Sequence, residues 1–311
     1  ASPDGGCFAV VVNWNGGEAN VPCLASVLAA GFPQERVVFV DNGSQDGSLE
    51  LVLASYPALV ALPLGSNLGF GEGANRGAAR ALELGAEAVY FVNNDVSLPK
   101  GSLQPLLARL LADPRNGIVG PRVLYADAPA RIWCAGGALT WRENLSTLRG
   151  HGEPDAPAWQ AECEVDYVAG CALLARAELL RAIGLFDVTF FAYMEDVDLC
   201  LRAKAQGWRV LSIGSQHCWH APSSATGGGY SPRRKYMQGV NSIHFLRRWA
   251  GSREWLRFLC FDVATLPLLF VVGLARGRAR GVLAKALGIW HGTLGRRVEA
   301  GRLERGGTPL W

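Results

Sequence analysis

The chain has 311 residues, of which 50% are hydrophobic and 18% are charged, with a formal net charge of +3. This length allows one large domain or one domain with a small appendage, and the composition excludes an intrinsically disordered chain. The charge is uneven, because residues 247–305 carry twelve Lys and Arg against four Asp and Glu, which leaves −5 for the remainder. We therefore expect the C-terminal tail to meet a charged partner.

The eight cysteines are spread along the chain, and no two of them form a CxxC pair. A chain of this size and apolar content needs no disulfide scaffold, so we expect free, mostly buried thiols in a reducing compartment. Residues 1–6 carry no secretory signal and are typical of a soft leader before a first strand. These features predict a cytoplasmic protein, and no nucleic-acid partner is expected.

Strand and helix patterns alternate along the first hundred residues. Short β-branched runs predict four buried strands, at residues 7–13, 37–40, 60–64 and 88–92. Helical spacing predicts three helices between them, at residues 19–30, 48–55 and 73–84. This alternation predicts a mostly parallel sheet with helices on both faces.

The pattern beyond residue 99 is less regular. Helices are predicted at residues 101–111, 177–182 and 196–206. Strands are predicted at residues 117–124, 132–140, 165–174 and 210–213. The polar residues 145–162 predict a mobile loop.

Each of the first four predicted strands is followed by a small polar cluster. These clusters contain Asn13, Asp41, Asn67 and the run Asn93-Asn94-Asp95. In open α/β sheets ligands bind beyond the carboxyl ends of the strands, so the four clusters predict a ligand crevice at one sheet edge. Asp95 in particular could hold a Mg²⁺ or Mn²⁺ ion that bridges two phosphate oxygens, although such a strand end is also typical of a simple turn.

The neighbouring clusters allow a nucleotide to bind. Asp41 could accept the imide N–H of uracil or thymine, and an Asx turn or helix cap is the alternative. Asn67, Gly69 and Asn75 belong to a glycine-rich turn before a helix, where the backbone can approach an anion.

Two further groups stand in the second half of the chain. Glu195 and Asp196 open a helix, where they could either stabilise the helix dipole or provide a general base. His217 and His220 follow the last predicted strand, and His220 could complete a metal site with Asp95.

The composition changes after residue 250, and we place the boundary between the main domain and the C-terminal tail there. Residues 255–275 are strongly apolar, but the longest uncharged run, residues 263–275, is shorter than the roughly 20 residues of a bilayer span. Residues 282–298 combine helical apolar spacing with basic residues. The pattern favours residues 251–311 as a basic, amphipathic tail at a membrane interface, with a helical pair packed on residues 1–250 as the alternative.

One ordered set of motifs resembles a known family. The motifs are Val-Val-Asn-Trp-Asn-Gly (11–16), Val-Asp-Asn-Gly-Ser (40–44), Asn-Leu-Gly-Phe-Gly (67–71), Asn-Asn-Asp (93–95), Tyr-Val-Ala-Gly-Cys-Ala (167–172), Gly-Leu-Phe-Asp (184–187), Phe-Phe-Ala-Tyr-Met-Glu-Asp-Val-Asp-Leu (190–199) and Cys-Trp-His (218–220). Over residues 7–250 the chain is similar to family 2 glycosyltransferases of the GT-A fold, and within them to the bacterial rhamnosyltransferase-like branch that builds cell-surface polysaccharides. The implied fold is a GT-A type, mostly parallel sheet flanked by helices, with a C-terminal helical extension.

The resemblance implies a role for each matching residue. Asp95 would be the remaining carboxylate of the Asp-x-Asp motif, whose first position is Asn93 here, and His220 would approach the metal. Asp196 would be the catalytic base supported by Glu195. The donor would contact residues near the strand ends, namely Asn13, Asp41, Asn67, Gly69, Asn75, Asn93 and Asn94. Gly170 and Cys171 would border the sugar and acceptor.

The implied reaction is a single displacement with inversion at the sugar. A dTDP- or UDP-sugar, with L-rhamnose as one candidate, would be the donor, Mn²⁺ or Mg²⁺ the cofactor, and a glycan or lipid-linked hydroxyl the acceptor. The enzyme would be cytoplasmic and peripheral on the inner face of the plasma membrane. A nucleotidyltransferase and a non-catalytic nucleotide-sugar or glycan-binding module are the alternatives, and the first lacks its basic residues near the first strand.

Overall fold

The computed structural model describes residues 6–221, 230–303 and 307–311. The chain divides into two compact units. Unit 1 comprises Ala1–Ala138, Leu148–Phe186 and Asp196–Pro222, and unit 2 comprises Leu139–Thr147, Asp187–Glu195 and Ser223–Trp311. The helix that precedes residue 250 thus belongs with the tail in unit 2.

The first half of unit 1 is the expected parallel sheet. Its strands are β1 (Cys7–Asn13), β2 (Val37–Asp41), β3 (Val60–Pro63) and β4 (Ala88–Asn93). They lie in the order β4-β1-β2-β3, and every neighbouring pair is parallel. The connecting helices are α1 (Asn20–Ala30), α2 (Ser48–Ser55) and α3 (Phe70–Glu83). The predicted parallel sheet with flanking helices is confirmed.

The second half of unit 1 extends this sheet with mixed pairing. The strands are β5 (Val96–Ser97), β6 (Asn116–Tyr125), β7 (Ile132–Cys134), β8 (Gly137–Leu139), β9 (Ser146–Leu148), β10 (Glu162–Glu164), β11 (Ala172–Arg176) and β12 (Arg209–His220). The order in the large sheet is β10-β12-β6-β11-β4-β1-β2-β3, with β5 on β12 and β7 on β6, while β8 and β9 pair separately. The helices are α4 (Leu103–Leu111), α5 (Ala177–Ile183) and α6 (Glu195–Ala205). Strand β11 is antiparallel to both β4 and β6.

Close helix–sheet packing holds the strand ends of β1 and β2 in place. Every residue of β2 is buried, as a strand covered on both faces requires. A Cβ added at Gly77 of α3 would lie 2.4 Å from Val10 and 2.8 Å from Val40. Glycine at this position therefore lets α3 approach the sheet more closely than any other residue would allow.

Four predicted elements differ from the structure. The strand expected at residues 132–140 is divided into β7 and β8, which belong to different sheets. The strand expected at residues 210–213 runs on to His220, so His217 and His220 lie within β12 rather than after it. The strand continues past a bulge between Ile213 and His217. Residues 214–217 at this bulge are not apolar, so the hydrophobic pattern did not predict that the strand extends through them. The strand expected at residues 165–174 is confined to β11, and the predicted loop at residues 145–162 contains the short strand β9.

Unit 2 is built around paired helices. They are α7 (Pro232–Trp249), α8 (Ser252–Phe258), α9 (Leu266–Ala275), α10 (Ala279–Thr293) and α11 (Ala300–Leu303), with a π-helical turn at Leu259–Val263. A Cβ at Gly239 of α7 would lie 2.4 Å from the carbonyl oxygen of Lys285, and one at Gly288 of α10 would lie 2.2 Å from that of Tyr236. Small residues on both helices therefore let α7 and α10 pack backbone against backbone.

The segment Ser252–Ala275 is the most exposed apolar part of unit 2. By length and composition it is long and apolar enough to cross a membrane. Its mean hydropathy is 2.2, and 17% of its most apolar 18-residue stretch is buried. Its large exposed apolar side chains are Leu256, Leu259, Phe261, Leu268, Val271, Val272 and Leu274. Although α9 packs against α10 on one side, most of the segment's large apolar side chains remain exposed in the described part of unit 2.

Candidate functional site

An asparagine network joins the ends of β1, β2 and β4. The Asn13 amide nitrogen donates to Asp41 Oδ1 at 2.9 Å and to Ser44 Oγ at 3.0 Å. Its oxygen accepts from Asn94 Nδ2 and from the Gly16 N–H, each at 3.0 Å. Asn13 is fully buried. The structure thus brings together three of the polar clusters that the sequence placed at strand ends.

Gly16 lies within the motif at residues 11–16, but the sequence analysis assigned it no role in the site. A Cβ at this position would lie 2.3 Å from Asn94 Nδ2 and 2.6 Å from Asn13 Oδ1. Asn20 completes the network by accepting from Asn94 Nδ2 at 3.2 Å. A side chain at position 16 would therefore separate the amides that hold the ends of β1 and β4.

Asp41 is largely buried, and its carboxylate closes a turn by accepting from the main chain three residues further on. One oxygen accepts from Asn13, and the other accepts the Ser44 N–H at 3.1 Å. A carboxylate has about four acceptor sites, so Asp41 keeps the capacity to accept one further N–H. The turn and the predicted contact with a pyrimidine base are therefore compatible.

The glycine-rich turn before α3 is organised by Asn42. The amide of Asn42 donates to Asn67 Oδ1 at 3.2 Å and to the Gly69 carbonyl at 3.0 Å. Asn75 lies one turn into α3, where its amide donates to the Phe186 carbonyl and accepts the Phe186 N–H, both at 2.9 Å. Asn75 therefore anchors a distant segment of unit 1, a structural role that the sequence did not predict, and its contact with the donor stays a prediction.

Asp95 and His220 are brought together by the pairing of β5 with β12. His220 lies opposite Val96, and the Ala221 N–H donates to the Asp95 carbonyl at 3.0 Å. As a result His220 Nε2 lies 3.1 Å from Asp95 Oδ1, and both side chains are mostly buried. The edge of the Trp133 ring contacts the imidazole with ring centroids 4.5 Å apart. Sequence reasoning did not identify Trp133, because its contact with His220 depends on β7 lying beside β6.

This pair fits a shared divalent cation. Two adjacent ligands of an octahedral ion, each about 2.1 Å from it, lie about 3.0 Å apart, close to the observed 3.1 Å between Asp95 and His220. Asn93 stands where a second carboxylate would be needed, and no group of three or more His, Cys, Asp or Glu residues in the described part of the chain could hold a metal by itself. A cation here would need further ligands besides the side chains of Asp95 and His220.

Asp196 is held by two main-chain amides. Its Oδ2 accepts the Gly170 N–H at 2.8 Å and its Oδ1 accepts the Val197 N–H at 2.8 Å. Burial raises the pKa of Asp196 above its ordinary value, although the two amide hydrogen bonds oppose that rise. A Cβ at Gly170 would lie 3.2 Å from Asp196 Cβ, so the glycine allows this close approach. The arrangement provides an oriented carboxylate with raised basicity.

The segment Gly170–Cys171 links Asp196 to the end of β4. The Cys171 carbonyl accepts the Asn93 N–H at 3.0 Å, while the neighbouring Gly170 N–H reaches Asp196. Burial raises the pKa of the Cys171 thiol, and the negative charges of nearby groups, including Asp95 and Asp196, add to that rise. Both carboxylates therefore lie within electrostatic reach of one two-residue segment, as expected for a single site.

A strained turn in unit 2 leads into Glu195. Tyr193 and Met194 have φ values of 72° and 76°, in the left-handed region that non-glycine residues rarely adopt. The amide of the fully buried Asn241 donates to the carbonyls of Ala192 and Tyr193, both at 2.8 Å. Backbone strain of this kind is typical of functional sites and persists only where the surroundings hold it. Asn241 was missed by sequence reasoning, because one asparagine among the many polar residues of α7 carries no local signal.

Comparisons with known proteins show which sequence family the chain resembles. Residues 3–237 match the family described as "Glycosyltransferase like family 2". An N-acetylglucosaminyl-diphospho-decaprenol L-rhamnosyltransferase of Mycobacterium tuberculosis is 32% identical over 238 residues, which cover 70% of this chain and 76% of that protein. An O-antigen biosynthesis protein of Myxococcus xanthus is 26% identical over 71% of this chain but only 17% of its own length.

Solved structures show the same fold at low sequence identity. A mannosyltransferase from Pyrobaculum calidifontis, in complex with GDP-mannose and Mn²⁺, aligns with a TM-score of 0.57 at 15% identity over 94% of this chain and 88% of that chain. GalNAc-T7, crystallised with UDP, GalNAc and Mn²⁺, aligns with a TM-score of 0.55 at 15% identity over 81% of this chain and 53% of its own. The chain has the GT-A fold and belongs to glycosyltransferase family 2.

Proposed function

We propose that this glycosyltransferase moves a sugar from a dTDP- or UDP-linked donor to a hydroxyl of a glycan or lipid-linked acceptor, with inversion, in the synthesis of a cell-surface polysaccharide. The observation that carries the proposal is the pair of carboxylates near Gly170–Cys171: Asp95 lies beside His220, and Asp196 is oriented by two amides. The name of the mycobacterial relative favours L-rhamnose as the sugar.

Asp196 acts as the general base in this proposal. Its raised pKa makes the carboxylate a better proton acceptor than an ordinary surface aspartate. It takes the proton of the acceptor hydroxyl as that oxygen bonds to the anomeric carbon, while the bond from this carbon to the diphosphate oxygen breaks on the opposite face. One displacement leaves the nucleoside diphosphate and a glycoside of inverted configuration. Glu195, buried next to Asp196 in the chain, supports the base.

The donor occupies the carboxyl edge of β1, β2 and β4. Asp41 accepts an N–H of the pyrimidine, and Asp95 with His220 would hold Mn²⁺ or Mg²⁺. A bound cation of this kind neutralises charge on the diphosphate leaving group. The other residues assigned to the donor are those that surround this edge, namely Asn13, Asn67, Gly69, Asn75, Asn93 and Asn94.

The tail places the enzyme at the cytoplasmic face of the membrane. The exposed apolar side chains of α8 and α9 are flanked by Arg253 and Arg257 on one side and by Arg276 and Arg278 on the other. Apolar faces bordered by cations are suited to the interface of a bilayer that contains anionic lipids. A membrane-bound acceptor would then meet the enzyme at this surface.

A turnover screen tests the proposed reaction. Purified enzyme is given dTDP-L-rhamnose, UDP-N-acetylglucosamine, UDP-galactofuranose or GDP-mannose, with a short-chain polyprenyl-diphosphate-linked N-acetylglucosamine as acceptor, in Mn²⁺, Mg²⁺ or EDTA. We expect turnover of a dTDP- or UDP-sugar only with a cation, and inverted anomeric configuration by NMR. The variant Asp95→Ala should lose cation-dependent turnover, while Asp113→Ala, a remote acidic control, should keep it. Retention of configuration or undiminished turnover in EDTA would contradict the mechanism.

A further inference from the structure

The lysine Lys235 of α7 is buried, and it forms no ion pair with any residue that the structure describes. Its side chain is 6% exposed, and within the described residues its one specific contact is with the ring of Tyr230, 4.6 Å from Nζ to the centroid. Burial and the nearby charge of Lys285 lower the pKa of Lys235 to about 8, against the opposing effect of Glu143. Burying an unpaired ammonium group costs stability, so the fold gains nothing from a charged residue at this position.

A second cation faces the same aromatic ring. The guanidinium carbon of Arg278 lies 5.2 Å from the centroid of Tyr230, and Arg278 is exposed. The start of α10 packs closely here, because a Cβ at Gly281 would lie 2.9 Å from the Tyr230 carbonyl oxygen. Tyr230 thus has one buried and one exposed cation around it.

The nearest buried carboxylate does not balance these cations. Asp262, in the π-helical turn, forms an ion pair with Lys285 and accepts the Asn144 N–H at 3.2 Å. Lys285 also donates to Asn144 Oδ1 at 3.2 Å. Because Asp262 is matched by Lys285, the exposed Glu143 is the carboxylate among the described residues that remains to offset Lys235 and Arg278, while Arg234 adds a further positive charge. The cluster therefore keeps a net positive charge.

The position of the cluster indicates which anion it would bind. Arg278 follows the last turn of α9, whose side chains Leu268, Val271 and Leu274 are 62–67% exposed. An amphiphile that lays its acyl chain along α9 would therefore bring its head group to Arg278 and Lys235. A free anion would gain nothing from the apolar face, so the combination favours a lipid with a phosphate in its head group.

We propose that Lys235, Arg278 and Tyr230 form a binding site for the phosphate of a membrane lipid, with the lipid chain against the exposed face of α9. The proposal rests on the membrane association proposed above. It adds a specific site to that association. The occupant is an anionic phospholipid of the bilayer, because the exposed apolar face of α9, followed by Arg276 and Arg278, suits a membrane surface that contains anionic lipids.

Vesicle binding of the full chain tests the site through the variant Lys235→Gln. Flotation is measured with vesicles of phosphatidylcholine alone, of phosphatidylcholine with phosphatidylglycerol, and of phosphatidylcholine with a polyprenyl diphosphate at equal surface charge. Arg297→Gln is the matched control, because it removes one positive charge from an exposed residue outside the cluster. We expect Lys235→Gln to weaken binding to the vesicles that contain phosphatidylglycerol about ten-fold. The control should change binding less than three-fold, and binding to pure phosphatidylcholine should be the same for all proteins.

The loss of binding caused by Lys235→Gln is compared between the vesicles with phosphatidylglycerol and the vesicles with polyprenyl diphosphate. A loss with phosphatidylglycerol supports the phospholipid site, and a loss confined to polyprenyl diphosphate contradicts it. The proposal is overturned if Lys235→Gln and Arg297→Gln weaken binding equally, or if Lys235→Gln leaves binding unchanged. The melting temperature of Lys235→Gln should not fall, since the substitution removes an unpaired buried charge, and a fall would indicate a structural role instead. Donor turnover on a soluble acceptor is recorded in parallel, so failure of the glycosyl transfer and failure of the lipid site are separate results.

Discussion

Replacing Asp196 with asparagine removes the proposed base while it keeps the shape of the side chain. Removing a general base costs 10²–10⁴-fold in rate, which corresponds to about 2.7–5.4 kcal/mol of transition-state stabilisation. Both carboxylate oxygens accept a main-chain N–H at 2.8 Å, so the new amide nitrogen must face either the Gly170 or the Val197 donor. Leaving one buried donor without an acceptor costs about 1–3 kcal/mol.

A second effect opposes this loss of stability. The folded-state pKa of Asp196 is raised, so ionisation of Asp196 at neutral pH destabilises the native state relative to the unfolded chain. The neutral asparagine removes that cost. We therefore expect a melting temperature close to that of the wild type together with a 10²–10⁴-fold lower kcat, which separates loss of the base from loss of the fold.

The assay measures initial rates at saturating donor, with calorimetric binding of the nucleoside diphosphate as a second readout. Asp196→Asn should leave the Kd of the nucleotide within about three-fold of the wild type. Asp113→Asn is the chemical control, because Asp113 also accepts a main-chain N–H, from Arg115 at 2.9 Å, and has no place in the site. A kcat within ten-fold of the wild type for Asp196→Asn would refute the assignment of the base.

The pH profile gives an independent test of the same residue. Asp196 is active as the carboxylate, so kcat should fall as the pH drops through its pKa, and the midpoint should lie above the ordinary aspartate value of about 4. Asp196→Asn should lose this acidic limb, and an identical limb in the variant would assign it to another group.

Three further substitutions test the surroundings of the two carboxylates. His220→Ala should raise the Mn²⁺ concentration for half-maximal activity at least ten-fold. His151→Ala, a control at an exposed residue, should leave this concentration unchanged. If Mn²⁺ titrations show the same increase for both variants, the metal role of His220 is excluded. Gly16→Ala should cost about 1–3 kcal/mol of stability and raise the donor KM, whereas Gly301→Ala, which has open space for its Cβ, should change neither in melting and rate measurements. Asn241→Ala should lower kcat with little change in the Kd of the nucleotide, and an unchanged kcat would show that the strained turn does not affect the base.

The parallel half of the sheet could be predicted from sequence because its signals are local. Buried β-branched runs and the polar residues after them place Asn13, Asp41 and Asp95 near one sheet edge through chain order alone. The network from Asn13 to Asp41 and Asn94 then follows from the parallel pairing of β1 with β2 and β4.

The contacts that complete the site depend on pairings between distant parts of the chain. His220 meets Asp95 because β12 continues past a bulge and pairs with β5, and the polar residues at the bulge carry no strand signal. Asn75 shows the same limitation, because its partner in the structure is not the one that its motif predicted. Its motif predicted a contact with the donor, yet its amide bonds to Phe186, 111 positions along the chain. Spacing in a sequence identifies polar residues near a site more readily than it assigns their partners.

The direction of β11 explains how the donor and acceptor halves of the site come to share one edge. In a parallel strand, the residues before the strand begins would lie at the amino edge of the sheet, far from the end of β4. Because β11 is antiparallel to β4, the segment that enters it lies beside the carboxyl end of β4, and the Cys171 carbonyl accepts the Asn93 N–H. Gly170, one residue earlier, is thereby placed to donate to Asp196. One reversed strand within an otherwise parallel region therefore brings the proposed base to the edge where the parallel strands present Asp95.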